Sequence, residues 1–154
     1  MEISENIEKG KGLSIDQGVI IGYVSPRSGV TDRLVIGDNG RIRSGTVIYA
    51  GSTIGSGLET GHNVVIREQC DIGNDFSIWN NSVIDYGCEI GNGVKVHCNI
   101  YIPQYTVVED DVEGFAVFQA GDDLDGGFLS LLNLLARHAA RALEDKWDFA
   151  FDLV

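Results

Sequence analysis

The sequence predicts an all-β fold, a parallel β-helix in which short strands wind into successive coils. Three observations predict it: an aliphatic residue at every sixth position, small or apolar residues four places later, and a glycine at every eighteenth position. A helix has 3.6 residues per turn and cannot give a period of six, and simple strand alternation alone cannot give it either. One coil is therefore expected to span eighteen residues, as three short strands joined by three turns.

The six-residue repeat continues without an insertion and places the main body of coils at roughly residues 12 to 118. Fourteen of its fifteen positions are Ile or Val, and Thr60 is the exception. Neighbouring coils should lie about 4.8 Å apart, because their strands are neighbours in one sheet. The positions are Val24, Val30, Ile36, Ile42, Ile48, Ile54, Thr60, Ile66, Ile72, Ile78, Ile84, Ile90, Val96, Ile102 and Val108.

A second period of eighteen residues marks one corner of each coil. Gly37, Gly55, Gly73 and Gly91 each follow the aliphatic residue, and Asn, Asp or Ser comes next. These residue types are typical of tight turns, in which the backbone needs unusual freedom or a close approach.

Composition excludes several function classes. The net charge of -12 and the pI near 4.4 argue against nucleic-acid binding, which needs a basic surface, and against docking on anionic lipid. The first residues have no apolar core typical of a signal peptide, and no apolar run is long enough for a membrane span. Three cysteines, an odd number, suggest free thiols in a reducing environment. We therefore expect a cytoplasmic protein that binds neither nucleic acid nor membrane.

The repeat resembles that of the hexapeptide-repeat acyltransferases, and it is most similar to the sugar N- and O-acetyltransferases of surface-polysaccharide pathways. The resemblance covers roughly residues 12 to 112. It implies a left-handed β-helix, a homotrimer with active sites between subunits, and acetyl-CoA as co-substrate. The acceptor would be an amine or hydroxyl of a small-molecule sugar, which in this family can be nucleotide-linked. The segments that carry the likeness are 40–51 (GRIRSGTVIYAG), 60–68 (TGHNVVIRE) and 102–104 (IPQ).

The two predicted domains are a β-helix at residues 1–118 and a C-terminal cap at 119–154. In the cap, apolar residues with helical spacing predict a helix from about Gly127 to Lys146. Alternation after Trp147 predicts a short strand. We expect both elements to cover the open end of the coils, which would otherwise expose unpaired backbone groups. Full-length relatives usually continue with further coils that contact acetyl-CoA.

The eighteen-residue period also aligns polar side chains in columns. His62 is the first candidate catalytic base, because a turn histidine titrates near neutrality, and Glu68 is the second. The alternatives are a surface His62 bonded to a neighbouring coil and a solvated Glu68 carboxylate near Arg67. The candidate substrate-binding residues are Asn80, Asn81, His97, Arg43 and Tyr49.

For most of these polar residues, the alternative is a purely structural role. Asn tolerates the left-handed backbone of tight turns, and Arg43 and Tyr49 could simply be solvated or packed. A zinc site is not expected, because His62 and His97 lie about two coils apart within one chain. The leading hypothesis is thus an acetyl-CoA-dependent acyltransferase. The alternatives are a non-catalytic trimeric scaffold that lacks the acetyl-CoA-binding half and, with less support, a metal-dependent hydratase.

Overall fold

A computed structural model describes residues 2–114, and these form an all-β parallel solenoid that resembles a left-handed β-helix. Two sheets have six strands and the third has five. Sheet 1 contains β1, β4, β7, β10, β13 and β16; sheet 2 contains β2, β5, β8, β11, β14 and β17; sheet 3 contains β3, β6, β9, β12 and β15. The strands are β1 (Ile7–Lys9), β2 (Ser14–Ile15), β3 (Ile20–Tyr23), β4 (Leu34–Ile36), β5 (Arg41–Ile42), β6 (Val47–Tyr49), β7 (Thr53–Ile54), β8 (Glu59–Thr60), β9 (Val65–Ile66), β10 (Asp71–Ile72), β11 (Ser77–Ile78), β12 (Val83–Ile84), β13 (Glu89–Ile90), β14 (Lys95–Val96), β15 (Tyr101–Ile102), β16 (Val107–Val108) and β17 (Glu113–Gly114).

From β4 onward the register follows the predicted period of eighteen residues. Ile72 pairs with Ile54 on one side and with Ile90 on the other, and all three strands run parallel. Equivalent positions of the repeat therefore stack in columns along the solenoid. This regular stacking confirms the coil of three strands that the sequence predicts.

The aliphatic column forms the core, as predicted for positions Ile36 to Ile102, whose side chains are all buried. The exception, Thr60, is buried as well, and its hydroxyl accepts the backbone N–H of Arg43 at 3.0 Å. A hydroxyl thus fits an aliphatic position because it satisfies a backbone donor there. The second inward column contains Cys70 and Cys88, which are buried free thiols and behave as small core residues.

The uninterrupted repeat is wrong at the N-terminal end. Ile7 of β1 pairs with Leu34 of β4, a step of 27 residues instead of eighteen. The additional residues form a loop between β3 and β4, residues 24–33, which we call the 24–33 loop. Val24 and Val30 belong to this loop and not to strands. Their six-residue spacing is therefore a coincidence of sequence, and the solenoid begins at β1, earlier than the predicted residue 12.

The glycines of the eighteen-residue period are required by close approach between coils. A Cβ added at Gly37 would lie 2.5 Å from the backbone nitrogen of Ser56 and 2.6 Å from the carbonyl carbon of Gly55. The left-handed backbone of the same corner falls two residues later, for example at Asn39 and Asp75. Two positions of this corner therefore have different requirements. The first needs glycine because neighbouring coils touch there, and the position two residues later needs Asn, Asp or Gly because its φ is positive.

The predicted C-terminal helix, strand and cap fall on residues that lie outside the described part of the chain, so they stay predictions, as does the domain boundary near residue 118. Within residues 2–114, no helix has the length and hydrophobicity needed to cross a bilayer.

Candidate functional site

Polar and aromatic side chains gather at two corners of the solenoid. The histidine corner comprises the turns from sheet 2 to sheet 3, residues 43–46, 61–64, 79–82 and 97–100. The tyrosine corner comprises the turns from sheet 3 to sheet 1, residues 50–52, 67–70, 85–88 and 103–106, together with the 24–33 loop. Five of the seven predicted site residues lie at the histidine corner, whereas Glu68 and Tyr49 lie at or beside the tyrosine corner.

His62 is exposed at the histidine corner and is held by two neighbouring coils. Its backbone N–H donates to Asn80 Oδ1 at 2.8 Å, and its Nδ1 lies 2.9 Å from the hydroxyl oxygen of Ser44. Both partners are one coil away, on opposite sides of His62 along the solenoid. The surface histidine bonded to a neighbouring coil, expected as the structural alternative, is thus present. The contact with Ser44 orients the exposed imidazole, and the bond to Asn80 fixes the backbone of His62.

The asparagines of this corner form a ladder. Asn63, Asn81 and Asn99 all adopt a positive φ. The side-chain amide of Asn63 donates to Asn81 at 3.3 Å, and that of Asn81 donates to Asn99 at 3.4 Å. Asn80, in the adjacent column, supplies the bond to His62. These asparagines have the structural role that turn chemistry predicts, and whether Asn80 and Asn81 also contact substrate stays a prediction.

Arg43 and His97 occupy one column of the histidine corner and have ionic neighbours. Arg43 is half-buried, and its Nη1 lies 3.9 Å from Asp16. His97 Nε2 lies 3.6 Å from Glu113. His62 and His97 lie on coils that are separated by the coil of β11. Within the described residues, no group of three His, Cys, Asp or Glu side chains is placed to hold a metal.

Glu68 is the best-buried charged residue of the tyrosine corner, with 0% exposure. Arg67 Nε and Nη2 donate to its carboxylate at 3.1 and 3.0 Å, and the hydroxyl of Ser25 donates at 3.0 Å. Arg27 Nη1 lies 3.7 Å away. The pairing with Arg67 agrees with the expectation, but the expected solvated carboxylate is wrong because the 24–33 loop, which contributes Ser25 and Arg27, covers it. Glu68 could act as a base only after its carboxylate had lost its hydrogen bonds to Arg67 and Ser25.

Asp85 extends this network by one coil. It lies 3.4 Å from Arg67 Nη1, and it accepts the hydroxyl of Tyr101 at 2.5 Å. This bond, together with burial, raises the pKa of Tyr101 to about 12. Arg67 thereby links two carboxylates on successive coils. Burial lowers the pKa of Arg67, but Glu68 and Asp85 raise it by more, so the net shift is upward.

All five tyrosines of the chain lie at the tyrosine corner or on the sheet 3 strands beside it. Tyr49 packs against Tyr23 with ring centroids 4.8 Å apart, and the Arg67 guanidinium lies 5.4 Å from the Tyr49 ring. Tyr49 is thus a packed residue that helps to place Arg67. Tyr86 and Tyr105 meet edge to face at 5.1 Å.

Sequence reasoning missed the contribution of the 24–33 loop. Ser25 and Arg27 fell on a stretch that the six-residue period treated as strands, so their contacts with Glu68 could not be anticipated. The eighteen-residue column did place Tyr86 beside Glu68. No known family model matches the sequence, and a search of curated proteins finds no match.

Proposed function

We propose that this protein is an acyltransferase that moves an acetyl group from acetyl-CoA to an amine or hydroxyl of a sugar, with His62 as the general base. The observation that carries the proposal is an exposed imidazole that Ser44 orients through Nδ1, on a backbone that Asn80 holds. The resemblance in sequence around the TGHNV segment (residues 60–64) supports the same reaction.

The tautomer of His62 decides whether it can act as a base. If Nδ1 carries the proton and donates to Ser44 Oγ, the lone pair of Nε2 faces outward. Nε2 can then take the proton from the attacking amine or hydroxyl as the new C–N or C–O bond forms at the thioester carbonyl. The C–S bond breaks, and the same proton passes from Nε2 to the departing thiolate. Ser44 acts in this scheme as a positioning residue.

The homotrimer implied by the resemblance is supported by the outer face of sheet 3. Its outward column is apolar on all five strands, whereas the matching column of sheet 2 is polar or charged. Such a stripe is typical of an interface between copies. The apolar column contains Ile20, Val47, Val65, Val83 and Tyr101, and the polar column contains Ser14, Arg41, Glu59, Ser77, Lys95 and Glu113.

The assembly is tested by light scattering. We expect the wild type to have the mass of a trimer and Val65→Asp to dissociate, because a charge on the stripe would be buried without a partner. Ser77→Asp, at the equivalent outward position of sheet 2, is the control and should leave the mass unchanged. A monomeric wild type would overturn the trimer.

The chemistry is tested by thiol release from acetyl-CoA with a panel of amino sugars and sugar alcohol groups as acceptors. His62→Ala should lower turnover by about 10²-fold or more, as loss of a general base does. Ser44→Ala should lower turnover less and shift its pH profile, since only the tautomer is disturbed. Ser56→Ala removes a similar hydroxyl from another corner, where it accepts the backbone N–H of Asp38, and should have no effect. Unchanged turnover in His62→Ala would remove the base from the proposal.

A non-catalytic scaffold is the second candidate, and the buried state of Glu68 favours it. The second predicted base is occupied by Arg67 and Ser25, which leaves His62 as the single oriented base among the predicted catalytic residues. Calorimetry with acetyl-CoA separates the two functions. A protein that assembles as a trimer but neither binds acetyl-CoA nor releases thiol would be a scaffold.

A further inference from the structure

Tyr105 adopts a backbone conformation that is costly for its residue type. Its φ is +59°, at the column where the preceding coils have Gly51, Gln69 and Gly87, all with positive φ. Bulky residues rarely adopt this left-handed region. A Cβ on Gly87 would lie 2.7 Å from the Tyr105 ring, so the coil below leaves room for the ring. Strain at a bulky residue is a reason to ask what its side chain does.

Tyr105 belongs to a stack with Tyr86 and Arg27. The Arg27 guanidinium carbon lies 3.4 Å from the centroid of the Tyr86 ring, and the Tyr105 ring meets the same Tyr86 ring edge to face. Burial lowers the pKa of Arg27, but the phenol oxygens of Tyr86 and Tyr105 and the Glu68 carboxylate raise it overall. The 24–33 loop thus presents a planar guanidinium whose orientation is fixed by an aromatic surface.

Acidic groups hold the Arg27 guanidinium less closely than they hold that of Arg67. Arg67 makes two close hydrogen bonds to Glu68 and a longer one to Asp85. Arg27 approaches Glu68 only to 3.7 Å, and its side chain is 36% exposed. The Glu68 carboxylate already receives Arg67 and Ser25, so it does not need Arg27. In a protein of net charge -12, a pre-oriented arginine that no carboxylate engages closely marks a place for an external anion.

We propose that Arg27, Tyr86 and Tyr105 form a binding subsite for a phosphoryl group of a small-molecule ligand. The guanidinium edge and the two phenol hydroxyls offer donors from three side chains, which match the three oxygens of a terminal phosphoryl group better than the two of a carboxylate. Tyr105 is 64% exposed, so the subsite is open to solvent. It does not depend on acyl transfer and would exist in a non-catalytic protein as well.

Calorimetry with inorganic pyrophosphate at low ionic strength, on the full chain without acetyl-CoA or sugar, tests the subsite. Arg27→Gln should weaken binding by about 10-fold or more, the loss expected for a charge-assisted hydrogen bond. Arg27→Lys keeps the charge but not the planar fork and should also weaken binding. Tyr105→Phe removes one donor and should weaken binding by about 2- to 10-fold.

Arg41→Gln is the matched control, because Arg41 is another exposed arginine with an acidic neighbour at 3.7 Å, Glu59. It should bind pyrophosphate like the wild type, as should His62→Ala. Malonate, a dianion with carboxylates in place of phosphoryl groups, should bind more weakly than pyrophosphate. The subsite is overturned if the wild type does not bind pyrophosphate, if Arg27→Gln binds within twofold of the wild type, if Arg41→Gln loses as much, or if malonate binds equally well.

Discussion

Replacing Arg67 by Met should destabilise the solenoid strongly, because the change leaves the buried carboxylate of Glu68 without its main partner. The substitution removes the bonds of 3.1 and 3.0 Å to Glu68 and the bond of 3.4 Å to Asp85. Asp85 keeps Tyr101, but Glu68, with 0% exposure, keeps only Ser25 and the distant Arg27.

The size of the effect follows from the burial of Glu68. Removing one partner of a buried ion pair costs about 3–5 kcal/mol, since the remaining charge is desolvated without compensation. For a chain of this length, that free energy corresponds to a fall in Tm of about 6–20 °C. An exposed ion pair contributes much less, about 0–1 kcal/mol.

Urea denaturation followed by circular dichroism at a fixed protein concentration measures the difference. Arg41→Met, which breaks the exposed pair with Glu59, is the control and should change the free energy of unfolding by about 0.5 kcal/mol or less. The double variant Arg67→Met/Glu68→Leu should recover much of the stability, because it removes both charges together. The reasoning is refuted if Arg67→Met unfolds within about 1 kcal/mol of the wild type, a difference that only a solvated carboxylate would allow.

Two further changes test the corners and the tyrosine network. Gly37→Ala should destabilise the protein by more than Gly18→Ala, for which a cost of about 1–2 kcal/mol is expected. A Cβ at Gly37 would meet backbone at 2.5 Å, whereas at Gly18 only the φ of +82° is unfavourable for alanine. Chemical denaturation of both variants gives the comparison. The pKa of Tyr101 is raised from 10.0 to about 12 by its bond to Asp85 and by burial, so its stabilising effect is complete below about pH 10 and is lost as the pH rises through 12. The urea midpoint should therefore fall less in Tyr101→Phe than in the wild type as the pH rises from 9 to 12. An equal fall in both proteins would contradict the bond between Tyr101 and Asp85.

The regular part of the fold could be predicted because its physics is local and repeated. An inward side chain at Ile72 meets equivalent side chains at Ile54 and Ile90, so a single column in the sequence reports a column in space. The 24–33 loop escaped prediction because Val24 and Val30 continue the same spacing by chance. A period alone cannot show which aliphatic residues are in strands when an insertion happens to keep the spacing.

The candidate sites divide in the same way. His62, Ser44 and Asn80 lie in one eighteen-residue column, and the structure joins them by hydrogen bonds. The surroundings of Glu68 could not be predicted, since the side chains that bury it come from a different coil. Ser25 lies 43 positions from Glu68, a separation that is not a multiple of the repeat.

The 24–33 loop also changes how the solenoid should respond to a ligand. In a regular repeat protein each coil contacts only its neighbours, and stability is a sum of nearest-neighbour terms. This loop leaves the first coil and reaches Gly51, Glu68 and Tyr86, which lie on three successive later coils. It therefore connects coils that the strands alone do not. A phosphoryl group bound at Arg27 would hold the loop in this position, and by linkage it would stabilise every coil that the loop contacts. The contacts of the 24–33 loop with the later coils therefore affect both the stability of the tyrosine corner and the affinity of the proposed subsite.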